Sequence, residues 1–113
     1  MELHSETVGD VVIARVKGDH LDAGTVEDFK AAAGPVLEKS LQVVFDLQSL
    51  TFIDSSGIGA IISCLRKINT KGGDLKLCGL SRPVRSLFEL VRLHRIFDIF
   101  ETRDEAVAAF ARQ

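Results

Sequence analysis

The spacing of apolar residues changes period several times along the chain, and each change predicts an element. Gly9-Asp10 separates Val8 from the run Val11-Val12-Ile13-Ala14-Arg15-Val16. A Gly-Asp pair between two β-type segments is the chemistry of a two-residue hairpin turn, which predicts a strand on either side. Beyond Gly18, the residues Val26, Phe29, Ala33, Val36 and Leu37 follow helical spacing, and Asp22 or Thr25 can cap the start of that helix. Val43-Val44-Phe45, inside Gln42 to Leu47, has no polar alternation and predicts a central strand covered on both faces.

Ile58, Ile61, Ile62, Leu65 and Ile68 then recur at i, i+3, i+4, i+7 and i+10, the pattern of an amphipathic helix that Gly72-Gly73 brings to a stop. Alternation returns in Asp74 to Gly79 with Leu75, Lys76 and Leu77. Ser81 can cap a third helix with Pro83 in its first turn and Val84, Leu87, Phe88 and Val91 on one face. Phe97-Asp98-Ile99-Phe100 reads as an edge strand, and Thr102-Arg103-Asp104-Glu105 has capping-box form ahead of Ala106, Val107 and Phe110. At their spacing Phe88, Leu90, Phe97 and Phe100 are expected in the core.

The resulting order, β-β-α-β-α-β-α-β-α, is an α/β fold with a mixed sheet and four helices rather than a strictly parallel doubly wound sheet. No linker, repeat or low-complexity segment interrupts it. A chain of 113 residues with 46% hydrophobic content suits a single domain over residues 1–113. The formal charge of −2 offers no broad attraction to nucleic acid or to an anionic membrane surface, so neither is an expected partner.

No apolar run approaches the roughly 18 to 20 residues that span a bilayer. Met1-Glu2-Leu3-His4 lacks the basic-then-apolar pattern of a signal peptide, so a cytoplasmic location is expected. Cys64 and Cys78 sit in separate apolar patterns and read as buried thiols rather than a disulfide or metal pair. His4, His20 and His94 are scattered, and none stands at metal-ligand spacing from a cysteine or carboxylate, so they read as surface residues and no metal is expected.

The chemistry concentrates in Asp54-Ser55-Ser56-Gly57-Ile58-Gly59, between the buried strand and the second helix. The first N–H groups of a helix lack intrahelical partners and carry its positive dipole end, so a serine there can cap the helix or hold a phosphate. Ser55 or Ser56 can fill the cap role with the glycines serving a tight turn, while Gly57 and Gly59 can also admit another surface closely. Asp54 can order the loop through backbone hydrogen bonds or take part in recognition.

Catalytic alternatives fail on these residues. Gly57-Ile58-Gly59 is followed by Ile62 where a dinucleotide fingerprint needs its third glycine, and no Gly-Lys-Ser/Thr phosphate loop occurs. A hydrolase elbow needs glycine two residues before its serine, where Ile53 precedes Ser55 and Asp54 precedes Ser56. No catalytic residue and no cofactor are expected.

Val43-Val44-Phe45-Asp46-Leu47 through Leu50-Thr51-Phe52-Ile53-Asp54-Ser55-Ser56-Gly57-Ile58-Gly59 closely resembles the signature of STAS-domain anti-sigma factor antagonists. The likeness extends over nearly the whole chain, since the element order matches and Gly18-Asp19-His20-Leu21-Asp22 looks like the family's loop before its first helix. The resemblance implies the STAS fold and a non-enzymatic switch. Phosphorylation would fall on Ser56, the second serine of Asp-Ser-Ser-Gly, with Leu21, Asp22, Asp54, Ser55, Gly57 and Ile58 as partner-binding residues. It implies two partners: an anti-sigma factor with serine kinase activity, bound by the unphosphorylated form so that the sigma factor is released, and a serine phosphatase that restores this form.

The loop at Gly18-Asp19-His20-Leu21-Asp22-Ala23 is a residue longer than the commoner Gly-Glu-Leu-Asp form, so Asp22 is either the matching acidic contact or an ordinary helix cap. The competing expectation is a STAS scaffold or ligand-sensing module in another signalling assembly, with no regulatory phosphorylation.

Overall fold

The computed structural model describes residues 1–111. In chain order its elements are β1 (Leu3–Val8), β2 (Val11–Val16), β3 (His20–Leu21), α1 (Val26–Lys39), β4 (Gln42–Asp46), β5 (Phe52–Ile53), α2 (Ser55–Asn69), β6 (Asp74–Cys78), α3 (Arg82–Leu90), a 3₁₀ turn (Leu93–Arg95), β7 (Ile99–Phe100) and α4 (Arg103–Ala111). The main sheet has the order β1-β2-β4-β6-β7. Only the β1–β2 pair is antiparallel; β4, β6 and β7 join in parallel. The hairpin turns at Gly9, whose φ of 61° is a conformation that glycine adopts without a Cβ penalty.

Both faces of the sheet are covered. Val43 and Phe45 point into the larger core with α1, α2 and α3, where Phe29 meets Phe45 edge-on at 5.8 Å between ring centroids. Val44 points the other way, to Val11, Ile13 and Cys78 under Ala106 and Phe110 of α4. The unbroken apolar run in β4 follows from this placement. The capping box of α4 is formed as expected: Glu105 N–H donates to Thr102 Oγ1 at 3.2 Å, and Thr102 N–H donates to Glu105 Oε1 at 3.1 Å.

Four local expectations are corrected. The expected order lacked β3 and β5, which form a separate two-stranded parallel sheet. Leu90 is not in the core: its side chain is exposed, whereas Phe88 and Phe97 are buried and Phe100 is half-buried. Ser81 precedes α3 without a side-chain cap, because its Oγ donates instead to the Leu50 carbonyl at 2.8 Å. Thr25 occupies the cap position of α1, but its hydroxyl donates to the His20 carbonyl at 3.1 Å and accepts the Asp22 N–H at 3.0 Å.

Candidate functional site: the junction at the start of α2

Parallel pairing decides where the polar residues of the loops can meet. Arg15 lies opposite Asp46, so β2 and β4 end at the same edge of the sheet, and the segments that follow them emerge side by side. Those segments are then stitched together. His20 pairs with Phe52 and Leu21 with Ile53. The Asp19 carbonyl accepts the Thr51 N–H at 2.9 Å, the Phe52 N–H at 3.1 Å and the Thr51 hydroxyl at 3.2 Å. The Leu21 carbonyl accepts the Asp54 N–H at 3.2 Å.

Asp54 completes the junction. Its backbone is extended, its Oδ1 accepts the Gly57 N–H at 3.0 Å, and its carbonyl accepts the Ile58 N–H at 2.9 Å. Asp54 is therefore the N-cap of α2, and the serines follow it as the helix's first two residues; a serine cap, one of the two readings left open by sequence, does not occur. The other carboxylate oxygen, Oδ2, accepts the Ala23 N–H at 3.2 Å from the loop ahead of α1.

On this support Ser55 and Ser56 are exposed and Ile58 is half-buried. Asp22 is half-buried and turns its Oδ1 to the Gly24 N–H at 2.9 Å, closing the loop on itself. Leu21 and Gly57 are buried and shape the junction from beneath. A Cβ on Gly57 would press on the Leu21 carbonyl oxygen and stand 2.8 Å from Ile53 Cγ1. The close approach that needs glycine at position 57 is thus internal. At Gly59 nothing lies within 4 Å of the same test atom, so that position is open to an external surface.

His20 and Phe52 belong to the exposed rim of the junction, a role that their sequence neighbourhood did not signal. Their rings lie 5.5 Å apart, and His20 Nδ1 is 2.7 Å from Asp19 Oδ1. That hydrogen bond, with the attraction between opposite charges, raises the imidazole pKa and lowers that of the Asp19 carboxyl. The first turn of α2 contains no acidic side chain, and Arg66 and Lys67 lie in its last turn, an arrangement that complements the helix dipole. Among the described residues no group of three or more His, Cys, Asp and Glu is placed to hold a metal ion, and no helix is long and apolar enough to cross a membrane.

A mixed sheet that braces an exposed serine pair at a helix start, with the preceding loop locked beneath it, defines a small α/β domain. Residues 2–106 match the STAS domain family, and the chain belongs to that family. A Paenibacillus polymyxa protein named anti-sigma F factor antagonist is 28% identical over 109 residues, 95% of this chain and 92% of its own. The structure of an anti-sigma-factor antagonist (STAS) domain protein from Planctomyces limnophilus superposes with a TM-score of 0.89 at 18% identity, covering 98% of this chain and 99% of that one. The Bacillus cell fate determinant SpoIIAA in its phosphorylated form gives 0.71 at 23% identity, covering 96% and 98%. At these identities the two structures show the shared fold. The expected STAS fold, a mixed sheet with four helices, is the one observed.

Proposed function

We propose that this chain is an anti-sigma factor antagonist switched by phosphorylation of Ser56. The unphosphorylated form docks on an anti-sigma factor with serine kinase activity and so releases the sigma factor; a serine phosphatase reverses the modification. The chain acts by binding and catalyses no reaction itself. The observation that carries this reading is the exposure of Ser56 as the second residue of α2, on a junction whose backbone is locked by Asp54. The name of the Paenibacillus relative supports the same reading.

The switch follows from charge and bulk. A phosphate adds about −1.5 to −2 charges and three acceptor oxygens at neutral pH. The start of α2 tolerates an anion through the positive end of the helix dipole, even though Asp54 already takes the Gly57 N–H. The fold therefore stays intact, and the added group obstructs docking by its size and by repulsion of acidic groups on the partner. Ser55, Ile58 and the Asp22 loop form the contact surface around Ser56, with Leu21, Asp54 and Gly57 holding it in shape.

The purified chain incubated with ATP and each serine kinase of its own genome, followed by peptide mass spectrometry, tests this reading. Phosphate on Ser56 in the wild type and none in Ser56→Ala is the expected result. A kinase that binds the chain tightly but modifies it elsewhere contradicts the assignment, and a chain that no such kinase binds or modifies favours a scaffold or ligand-sensing module.

A further inference from the structure

The segment from the start of α3 through Ile96 carries chemistry that the fold itself does not use. Arg92 and Arg95 stand among Leu90, Val91 and Ile96 in a chain whose formal charge is −2, while Arg82 and a half-buried Arg85 line a hollow with Gly79, Leu80 and Glu101. None of the ion pairs among the described residues involves these four arginines. Six large apolar side chains are exposed among the described residues, and three of them, Leu90, Val91 and Ile96, fall in this segment; Leu90 is 78% exposed.

The backbone adds a third observation. Arg92 has φ 61° and ψ 30°, the left-handed conformation, just past the end of α3. Helices commonly close this way with glycine, since a side chain in that region costs free energy. Here the turn holds a bulky exposed cation where glycine would be less strained, and its N–H donates to the Glu89 carbonyl at 3.1 Å. Strain, unpaired charge and exposed aliphatic surface coincide within seven residues, from Leu90 to Ile96.

We propose that this face is a docking surface for an acidic, apolar-anchored segment of a protein partner. Leu90, Val91 and Ile96 supply the apolar contact, and the guanidinium groups pair with Asp and Glu side chains around it. The choice of cation favours a protein. Both cations within the apolar patch, Arg92 and Arg95, are arginines, although the chain uses lysine at positions such as Lys17, Lys30, Lys39 and Lys67. Arginine grips carboxylates through two parallel hydrogen bonds and is enriched at protein interfaces where lysine is depleted. An anionic lipid surface recruits either residue equally, and a nucleic acid backbone has little use for exposed aliphatic side chains.

The face sits on a firm base. Ser81 Oγ holds the start of α3 to the Leu50 carbonyl, and Val84 and Phe88 are buried beneath the helix. The proposal does not rest on phosphorylation of Ser56.

The test uses the full chain labelled with ¹⁵N and titrated with a synthetic acidic helical peptide that carries Glu on one face and Leu and Ile on the other. Saturable amide shifts confined to the region from Arg82 to Ile96 are expected, weakening as salt rises. Arg92→Glu with Arg95→Glu, and separately Leu90→Ser with Ile96→Ser, each lower the affinity about tenfold. These positions are exposed, and well-dispersed spectra confirm that the variants fold. Arg92→Gly relieves the strained turn, keeps the fold and still weakens binding, whereas Ser56→Ala binds the peptide as the wild type does. Equal binding of a peptide with the same charge but no apolar residues overturns the proposal. So do saturation of phosphatidylglycerol vesicles without peptide binding, and shifts in the same region that follow the protein's own concentration and report a second copy.

Discussion

Asp54 Oδ2 accepts the N–H of Ala23 at 3.2 Å, a hydrogen bond between residues thirty-one positions apart, while Oδ1 of the same carboxylate caps α2 at Gly57. One side chain thus sets both the direction of the serine-bearing helix and the position of the loop that precedes α1. Removing it by Asp54→Ala takes away an N-cap, which costs about 0.5 to 2 kcal/mol. Asp54→Asn keeps a capping oxygen and retains most of that stability. Denaturant unfolding checks the first point. Hydrogen exchange at Ala23, faster in Asp54→Ala than in the wild type, checks the second.

Gly57 and Gly59 respond in opposite directions to the same substitution. Gly57→Ala places a methyl group against the Leu21 carbonyl and Ile53, and overpacking of this kind costs about 1 to 3 kcal/mol. Gly59 lies in the exposed part of α2 with open space around it, so Gly59→Ala stabilises the helix by up to about 1 kcal/mol. Thermal melts of the two variants on either side of the wild type are the expected outcome.

The long-period features of the fold were legible in the residues themselves. The Gly9-Asp10 hairpin, the isoleucine stripe of α2 and the Thr102 to Glu105 capping box all depend on local chemistry, and local chemistry is enough to build them. Tertiary contacts decided the rest. Two-residue strands such as β3 and β5 are too short to carry a period. Lys76 interrupts an alternating strand as a surface residue would, yet it is buried. Its ammonium reaches Asp98 at 2.8 Å and Asp74 at 3.2 Å and lies 4.7 Å from the centre of the Phe110 ring, because α4 covers that face. At the junction, sequence singled out the segment from Asp54 to Gly59 but left open which residue caps α2. Asp54 takes that role through Oδ1, and the Ala23 loop, distant in sequence, meets its second oxygen.

The His20 pKa is raised from the ordinary imidazole value because Asp19 hydrogen-bonds to it and attracts its charge. The favourable interaction is fully present below the unfolded-state pKa of His20 and is lost as pH rises through its folded value. Asp19, whose own pKa is lowered, keeps its contribution above its unfolded value and loses it as pH falls through the folded one. Both groups are exposed, so the readout is a titration midpoint rather than stability. In an NMR titration, Asp19→Asn shifts the His20 midpoint down toward the usual imidazole value.

Burial pushes the Cys64 thiol up to about 11 and the Cys78 thiol up to about 12, with the Asp46 carboxylate adding to the shift at Cys78. Thiolate is the reactive form, so at pH 8 about one thiol in a thousand or fewer is ready to react, and both side chains are shielded. Labelling by a disulfide reagent is therefore slow in the native protein and accelerates in step with unfolding as denaturant is added. Rapid labelling of either cysteine in native buffer would show that its site opens without unfolding.

In the proposed switch, phosphate on Ser56 stops docking without altering the fold. The most direct test measures affinity for the kinase that modifies the chain, by calorimetry, using unmodified and Ser56-phosphorylated protein, with ¹⁵N spectra of both forms alongside. Affinity at least about tenfold weaker after phosphorylation is expected, with amide shifts confined to the start of α2 and the Asp22 loop. Undiminished affinity, or shifts spread through the sheet that report refolding, would contradict the proposed switch.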